Sequence, residues 1–384
     1  MYVDFVMISR LGLSDGGRET WLRNFLREAG RQRADYKFNL HTLSKDKVNV
    51  LTLVDSANLG SVKEIGCNRG LLPISIVFVL KFGLNGLLKK KAADHVVAIG
   101  GLDEALAVVF SYLLRPVNGR RILWLRTIYT KEKAYRLSKV ARLILLKFEI
   151  FVVKNFFDLV IANGEDTAEF YRGLGVDCIV INNGIEIERW DKISISPSKR
   201  TRIAFIGRLA EVKGIKSFFT SVEMLASEPR FKEFEFHVVG DGPFREEAER
   251  LQSGGLLKYH GALANDAIPA FVANMDCCVA LTFLTDSIGG GGVSNALVEQ
   301  MAAGQAIVAW DNGIFRKTLT QGSAYFVPQG NVEQLVQSYL NIRANPEVAK
   351  LKSEMAKAAS KGYSIVNHVR KFFNSLEGSA KVDS

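Results

Sequence analysis

The sequence predicts two doubly wound α/β domains in tandem, and three observations lead to this fold class. The chain has 384 residues, the length of two ordinary domains. Short apolar runs with strand character alternate with amphipathic helical segments along most of it. A polar stretch with one proline, Ile193–Arg200, separates two such series and indicates a linker. Ligands of doubly wound sheets bind at the carboxyl ends of the strands, so we expect a site in a cleft that the two domains face.

The first series opens with a strand at Val3–Ile8, a glycine-containing turn, and a helix over Glu19–Gly30 with one apolar face. Its other predicted strands are Val48–Val54, His95–Ile99, Ile122–Thr127, Leu159–Ala162 and Cys178–Ile181. The second series predicts strands at Arg202–Ile206, Glu233–Val239, Tyr259–Gly261, Cys277–Phe283 and Ala306–Trp310. Its predicted helices are the stripe from Ile215 to Leu225, Phe244–Leu251, Ala267–Asn274, Ala296–Ala303, Val332–Ile342, Pro346–Lys357 and Val366–Leu376.

The excess of basic residues lies in the first half alone. Residues 1–157 hold 26 basic and 13 acidic side chains, whereas residues 201–384 hold 19 of each. From Leu137 to Phe148 apolar and basic residues interleave, a pattern typical of a helix on an anionic membrane surface. A solvated face, a subunit interface and a nucleic-acid groove are the alternatives, and no nucleic-acid motif supports the last, so we expect no nucleic-acid partner.

Cysteine usage and the chain start indicate the compartment. Four cysteines are too few for a disulfide framework, and Cys277 and Cys278 lie in an apolar run as predicted buried thiols. The N-terminus lacks a basic signal-peptide region, and charged residues interrupt every apolar stretch before about 18 residues. We therefore expect a cytoplasmic protein, peripheral on the inner face of the membrane. Cys and His show no metal-binding spacing, so no metal is expected. No cofactor is expected either.

Two glycine-containing turns in the second half follow predicted strands. In Gly207–Gly214, Arg208 offers a fork of donors and Lys213 a point charge, a pair that suits a diphosphate. The alternative is a surface turn with two solvated cations. In Gly240-Asp241-Gly242-Pro243, Gly240 and Gly242 allow a ligand to approach the backbone, and the alternative is a tight turn without a ligand.

Four consecutive glycines, Gly289–Gly292, precede a predicted helix that carries Glu299. Free N–H groups at such a helix start bind anionic oxygens, and a carboxylate there can accept both hydroxyls of a ribose. The alternative is a flexible loop with a carboxylate that interacts with the helix dipole.

A glycine loop in the first half, Asp15–Glu19, also opens a helix. It overlaps Gly12–Gly16, which fits the Gly-x-Ser-x-Gly motif of hydrolases. None of the five histidines has the context of a catalytic base, so we expect no hydrolase.

Taken in order, these motifs resemble those of the retaining glycosyltransferases of family 4 (glycosyl transferases group 1), which have the GT-B fold. The matching elements are Gly16–Glu19, Asn183–Glu186, Gly207–Gly214, Gly240–Pro243, His260-Gly261, Glu299–Gly304 and Tyr363-Ser364. The resemblance implies an acceptor-binding domain over 1–193, a nucleotide-sugar-binding domain over 200–362, and a helix over 363–384 that crosses back to the first domain. It also implies a hexosyltransferase that retains the anomeric configuration without a metal.

The resemblance implies a role for each matching residue. Arg208 and Lys213 would neutralise the departing nucleoside diphosphate, and Glu299 would hold the ribose. The residues implied to bind the rest of the donor are Gly16, Gly17, Gly207, Gly240, Gly242, Gly291, Gly292, Val293 and Asn295.

Two positions depart from the family pattern. Gly291 stands where the signature has its first glutamate, which usually contacts the donor hexose, and Asp286 lies nearby in sequence. Tyr129 stands where a histidine is frequent, so no catalytic base is assigned. The predicted function is sugar transfer from a nucleotide sugar to a lipid-linked or polysaccharide acceptor at the membrane surface. The alternative is a non-catalytic GT-B relative that binds a nucleotide sugar or a partner transferase.

Overall fold

Two parallel β-sheets organise the chain, one in each of two units. The first unit contains the described residues up to 184 and residues 365–378, and the second contains the described residues between them. The computed structural model describes residues 1–10, 17–43, 59–65, 74–87, 93–112, 117–132, 137–285 and 294–378.

Among the described residues, the first sheet has seven parallel strands in the order β3-β2-β1-β4-β5-β6-β7. The strands are β1 Tyr2–Arg10, β2 Lys37–Leu43, β3 Leu59–Ile65, β4 His95–Gly100, β5 Arg121–Leu125, β6 Leu159–Ala162 and β7 Ile179–Val180. The helices of this unit are α1 Gly17–Gln32, α2 Ile74–Leu87, α3 Leu102–Tyr112, α4 Tyr129–Glu132, α5 Lys139–Phe156, α6 Glu165–Arg172 and, at the end of the chain, α15 Ile365–Glu377.

Helices α1 and α15 cover one face of this sheet. The apolar face predicted for α1 is buried. The ring of Phe372 in α15 stacks on the ring of Trp124 in β5, with the ring centroids 5.1 Å apart. His368 joins the two helices: its Nε2 accepts from Trp21 Nε1 at 2.9 Å, while its Nδ1 donates to the Asn182 carbonyl at 2.6 Å. Burial lowers the pKa of His368 to about 3, so the ring is neutral at pH 7 and serves as a structural link.

Helices α2, α3 and α5 cover the opposite face. Asp4 of β1 lies buried on this side and accepts hydrogen bonds from Tyr112 and Asn39. The Nε2 atom of His41 lies 3.4 Å from Asp4 Oδ2. These partners lower the pKa of Asp4 to about 2 although burial opposes them. Strands β2 and β3 were not predicted from the sequence. In β2 the polar residues Asn39 and His41 face this buried cluster, which hides the apolar alternation of an ordinary strand.

Among the described residues, the second sheet has six parallel strands in the order β10-β9-β8-β11-β12-β13. The strands are β8 Thr201–Ile206, β9 Phe234–Val239, β10 Lys258–Tyr259, β11 Cys277–Ala280, β12 Ala306–Asp311 and β13 Tyr325–Pro328. The helices are α7 Ile187–Asp191, α8 Ile215–Ala226, α9 Arg245–Ser253, α10 Ile268–Val272, α11 Asn295–Ala302, α12 Gly313–Arg316, α13 Val332–Ala344 and α14 Pro346–Ser360.

Three of the differences between the second unit and the predictions concern its first residue and two of its strands. Its first residue is Ile185, before the predicted boundary at residue 193, because Trp190 of α7 packs against Val298 and Ala302. Strand β11 ends at Ala280, three residues before the predicted end, because the following backbone bonds to neighbouring loops. The short strand β13 was not predicted.

One local prediction is confirmed, and another falls on residues that the structure does not describe. Cys277 and Cys278 are free, fully buried thiols. The predicted strand Val48–Val54 lies outside the described residues. No helix in the described part of the chain is long and apolar enough to cross a membrane.

Candidate functional site

The loops that follow β8 and β9 pack directly against each other at the carboxyl edge of the second sheet. Gly240 has a φ of +138°, and a Cβ there would collide with the Gly207 carbonyl oxygen. A Cβ on Gly242 would collide with the backbone of Leu209, whose N–H donates to the Asp241 carbonyl at 2.9 Å. The contact between the loops therefore requires these glycines, whatever ligand binds beside them.

The loop after β8 also contacts the segment after β11. A 3₁₀ turn over Glu211–Lys213 ends at Gly214, which has a φ of +78°. A Cβ on Gly214 would collide with Leu281, and Phe283 N–H donates to the Val212 carbonyl at 2.9 Å. These contacts fix the backbone on both sides of Lys213.

A cavity of about 100 Å³ lies where these segments meet the start of α11. Two residues predicted for the site, Gly207 and Lys213, line it. The other lining residues are Phe205, Ile206, Val279, Ala280, Leu281, Thr282, Ser294, Ala296, Leu297, Gln300 and Phe315. A lysine beside the N-terminus of a helix is an arrangement that suits an anionic oxygen.

Arg208, Asn295 and Glu299 do not line this cavity. Arg208 adjoins Gly207 and is exposed to solvent. Asn295 begins α11, and its Oδ1 is buried without a hydrogen-bond partner among the described residues. A buried acceptor without a partner is costly, so this oxygen is a candidate to accept from a ligand.

Glu299 lies on α11 and is half-buried. Burial raises the pKa of its carboxyl to about 7, and the positive charge of Arg189 only partly opposes that effect. Within the described residues its side chain has no hydrogen bond. A carboxyl that is partly removed from water and receives no hydrogen bond from the protein is typical of a ligand-binding site.

Several residues that were predicted for the site are not among the residues that the structure describes. Gly16, Gly291, Gly292 and Val293 are outside the described residues, as is Asp286. Gly17 is the first residue of α1.

The structure also places one polar residue that was not predicted for the site, Gln300, and it gives Tyr129 a hydrogen-bond partner. Gln300 is buried and lines the cavity, and a signal was present, because it is a polar residue next to Glu299 among the apolar residues of α11. Tyr129 begins α4 and donates to Asp103 Oδ1 at 2.9 Å, and burial raises its pKa. The hydroxyl is thus neutral and held by α3.

Residues 200–345 match the family model described as "Glycosyl transferases group 1". The phosphatidyl-myo-inositol mannosyltransferase of Mycolicibacterium smegmatis is 28% identical over 177 residues, which are 44% of each chain. The 2-deoxystreptamine glucosyltransferase of Streptomyces kanamyceticus is 30% identical over 149 residues, 38% of this chain and 36% of that protein. The matched stretches thus span less than half the length of these curated relatives.

Solved structures match along nearly the whole chain. HepE of Anabaena in complex with UDP-glucose is 17% identical with a TM-score of 0.72, covering 98% of this chain and 100% of HepE. Sucrose-phosphate synthase of Thermosynechococcus elongatus is 15% identical with a TM-score of 0.74, covering 99% and 100%. At these identities the likeness shows the fold, and the predicted GT-B architecture is confirmed.

Proposed function

We propose that this chain, which belongs to the glycosyltransferases of group 1 and has the GT-B fold, transfers a hexose from a nucleotide sugar to a lipid-linked or polysaccharide acceptor at the inner face of a membrane. The bond between the anomeric carbon and the diphosphate breaks, and a glycosidic bond to an acceptor hydroxyl forms with the same anomeric configuration. The nucleoside diphosphate leaves. The proposed reaction uses no metal and no cofactor.

The observation that carries this proposal is the cavity beside Lys213. The loop with Gly207 and Lys213, the segment Val279–Thr282 and the start of α11 come together there from three separate parts of the sequence. Lys213 and the exposed Arg208 would neutralise the charge that grows on the departing diphosphate, an effect that stabilises the transition state. HepE, which has the same fold, is known in complex with UDP and with UDP-glucose, so UDP-sugars are the first donors to test.

The ribose and the sugar are assigned to the residues around α11. Glu299 would accept the two ribose hydroxyls, because its carboxyl is desolvated and has no hydrogen bond within the described residues. Asn295 would accept a hydrogen bond from a sugar hydroxyl through its buried Oδ1. Gly16, Gly17, Gly291, Gly292 and Val293 keep the roles that the family resemblance implies.

The experiment that tests the donor site is a binding titration with a panel of UDP-, GDP-, ADP- and dTDP-hexoses. We expect one of them to bind, and Lys213→Ala and Arg208→Ala each to weaken binding roughly tenfold or more, since a charged hydrogen bond contributes about 1.5–3 kcal/mol. The matched control is Lys232→Ala, which removes an exposed cation before β9, at the opposite edge of the sheet. Binding that survives in both site variants would show the assignment to be wrong.

The alternative function, a non-catalytic relative, rests on Gly291. It predicts nucleotide-sugar binding without turnover. Release of nucleoside diphosphate in the presence of lipid acceptors separates the two functions. Turnover in the wild-type protein and in Gly291→Glu, with loss in Glu299→Ala, would exclude the alternative.

The membrane surface is assigned to helices α5 and α2 of the first unit. Both helices pack against α3, and both expose large apolar side chains. Those of α5 are Val140, Leu143, Ile144, Phe148 and Phe151, and those of α2 are Ile76, Leu80 and Leu84. Exposed lysines at positions 139, 147 and 154 accompany the apolar residues of α5. Each buried apolar side chain contributes up to about 1.5–3 kcal/mol, and each cation near an anionic surface about 1 kcal/mol.

Liposome flotation tests this surface. We expect the protein to float with vesicles that contain anionic lipid and not with neutral vesicles. Ile144→Asp, at a side chain 64% exposed, should abolish flotation without unfolding the protein. The matched control is Leu351→Asp on α14, 59% exposed in the other unit. A gel shift with duplex DNA, combined with no flotation, would favour the nucleic-acid alternative instead.

A further inference from the structure

Two side-chain amides, those of Asn312 and Gln329, bind the backbone that follows β11. Asn312 stands just after β12, and Gln329 just after β13. The segment that they hold is Leu281–Thr285, and two of its residues, Leu281 and Thr282, line the cavity beside Lys213. Neither amide was singled out by the sequence analysis.

The amide of Gln329 pairs with the backbone of Leu284 in both directions. Its Oε1 accepts from Leu284 N–H at 2.8 Å, and its Nε2 donates to the Leu284 carbonyl at 3.2 Å. Leu284 lies beyond the end of β11, and the Gln329 side chain makes the two backbone hydrogen bonds that a neighbouring strand would make within a sheet.

The amide of Asn312 continues the network toward the cavity. Its Nδ2 donates to the Thr282 carbonyl at 3.0 Å and to Gln329 Oε1 at 2.8 Å. Its Oδ1 accepts from Ile314 N–H at 3.0 Å and caps α12. This set of partners fixes the orientation of both amides, because reversing either one would place like groups against each other.

The segment is held from the other side by the loop of Lys213. Phe283 N–H donates to the Val212 carbonyl, one residue before Lys213. The position of Lys213 and the cavity wall are therefore linked through one stretch of backbone, which Asn312 and Gln329 hold from its other side.

We propose that Asn312 and Gln329 are positioning residues of the donor site: they fix the wall formed by Leu281 and Thr282, and with it the loop that carries Lys213. This inference rests on the proposed function, because it assigns the cavity to the donor. Neither residue needs to touch the donor.

The test compares three substitutions of Gln329 with the wild-type protein. Gln329→Ala and Gln329→Met remove all three hydrogen bonds, and Gln329→Met keeps the length of the side chain. Gln329→Glu keeps the two bonds that Oε1 accepts but cannot donate to Leu284. The matched control is Gln334→Ala, an exposed glutamine of α13 whose side chain has no hydrogen bond within the described residues.

Two measurements separate this inference from the proposed function. The first is amide hydrogen exchange over residues 282–285 without ligand, which reports the local hold on the backbone. The second is the KM of the tightest-binding nucleotide sugar from the panel, measured with kcat. We expect exchange to rise and KM to rise roughly tenfold in the Ala and Met variants, with kcat and thermal stability nearly unchanged and Gln329→Glu intermediate.

Each outcome has one meaning. If amide exchange over residues 282–285 is unchanged in Gln329→Ala and Gln329→Met, the side chain of Gln329 does not restrain this backbone. Faster exchange with unchanged KM overturns the role in donor binding, while the proposed function stands. A wild-type protein that binds no nucleotide sugar overturns the proposed function and the donor role together, and the exchange rates still decide whether the amides hold the wall.

Discussion

Glu149 and Glu299 are two glutamates, one buried and one half-buried, that lie in different units and have different environments. Burial raises the pKa of each carboxyl to about 7. Glu149 of α5 lies in the core and accepts a hydrogen bond from the Tyr171 hydroxyl at 2.6 Å. Glu299 of α11 has no hydrogen bond in the described part of the chain, and only the charge of Arg189 stabilises its ionised form. A raised pKa alone therefore does not identify a functional carboxylate, and the presence of a hydrogen-bond partner within the fold separates the two cases.

The largest expected effect concerns donor binding. We expect Glu299→Ala to weaken binding of the nucleotide sugar about 100-fold, since two charged hydrogen bonds to the ribose are lost. Calorimetric titration measures this change. Glu149→Gln is the control and should bind as the wild type does. Equal losses in both variants would contradict the distinction between the two glutamates.

The next effect concerns stability in the first unit. We expect Tyr171→Phe to lower the free energy of unfolding by about 2–3 kcal/mol at pH 8, because the buried carboxylate of Glu149 loses its donor. Near pH 5 the Glu149 carboxyl is protonated and the loss should shrink to about 1 kcal/mol. Urea denaturation at the two pH values measures both. Tyr363→Phe, which removes only a 3.5 Å contact with Thr318, should leave stability unchanged.

A smaller effect of opposite sign is expected for stability in the second unit. The pKa of Glu299 is raised in the folded state, so its contribution to stability is complete below its unfolded value near 4.5 and is lost as the pH rises through 7. Glu299→Gln should therefore stabilise the protein at pH 8 by about 1–2 kcal/mol, a value reduced because the side chain is partly solvated, and should do nothing near pH 4. A destabilised Glu299→Gln at pH 8 would show that the carboxylate has a structural partner.

The smallest effect is the pH dependence of donor binding. Only the ionised carboxyl of Glu299 accepts two hydroxyls, so donor affinity should fall by up to about tenfold from pH 8 to pH 6. Repeating the titration with Glu299→Gln should give weak binding at both pH values. A wild-type affinity that is flat between these pH values would assign the ribose to another residue.

Much of the fold was predictable because apolar periodicity survives wherever one face of an element is buried. The helix α1 and the strands β1, β4, β5 and β6 follow their predicted patterns. Strand β2 could not be predicted from the sequence, because Asn39 and His41 are polar and their buried partner Asp4 lies on another strand. A pattern local in sequence does not contain that pairing.

The site was predictable in its residues and less so in its geometry. The motifs identified Gly207, Lys213 and Glu299, and the structure brings the first two into one cavity. Gln329 was not predictable, since an exposed glutamine after a short strand carries no signal until Leu284 is seen beside it. Gly240 was interpreted as a place for a ligand, and the structure shows that the contact with Gly207 requires it.

The sequence by itself determined the two α/β units, the basic first half and the order of the motifs, because each of these depends on residue type and on neighbours along the chain. Only the tertiary structure decided which polar groups have partners. It paired Glu149 with Tyr171, held Leu284 by Gln329, and left Glu299 without a hydrogen bond within the described residues. The physical reason is that hydrogen bonding and desolvation depend on groups far apart in sequence, and both decide whether a carboxyl serves the fold or a ligand.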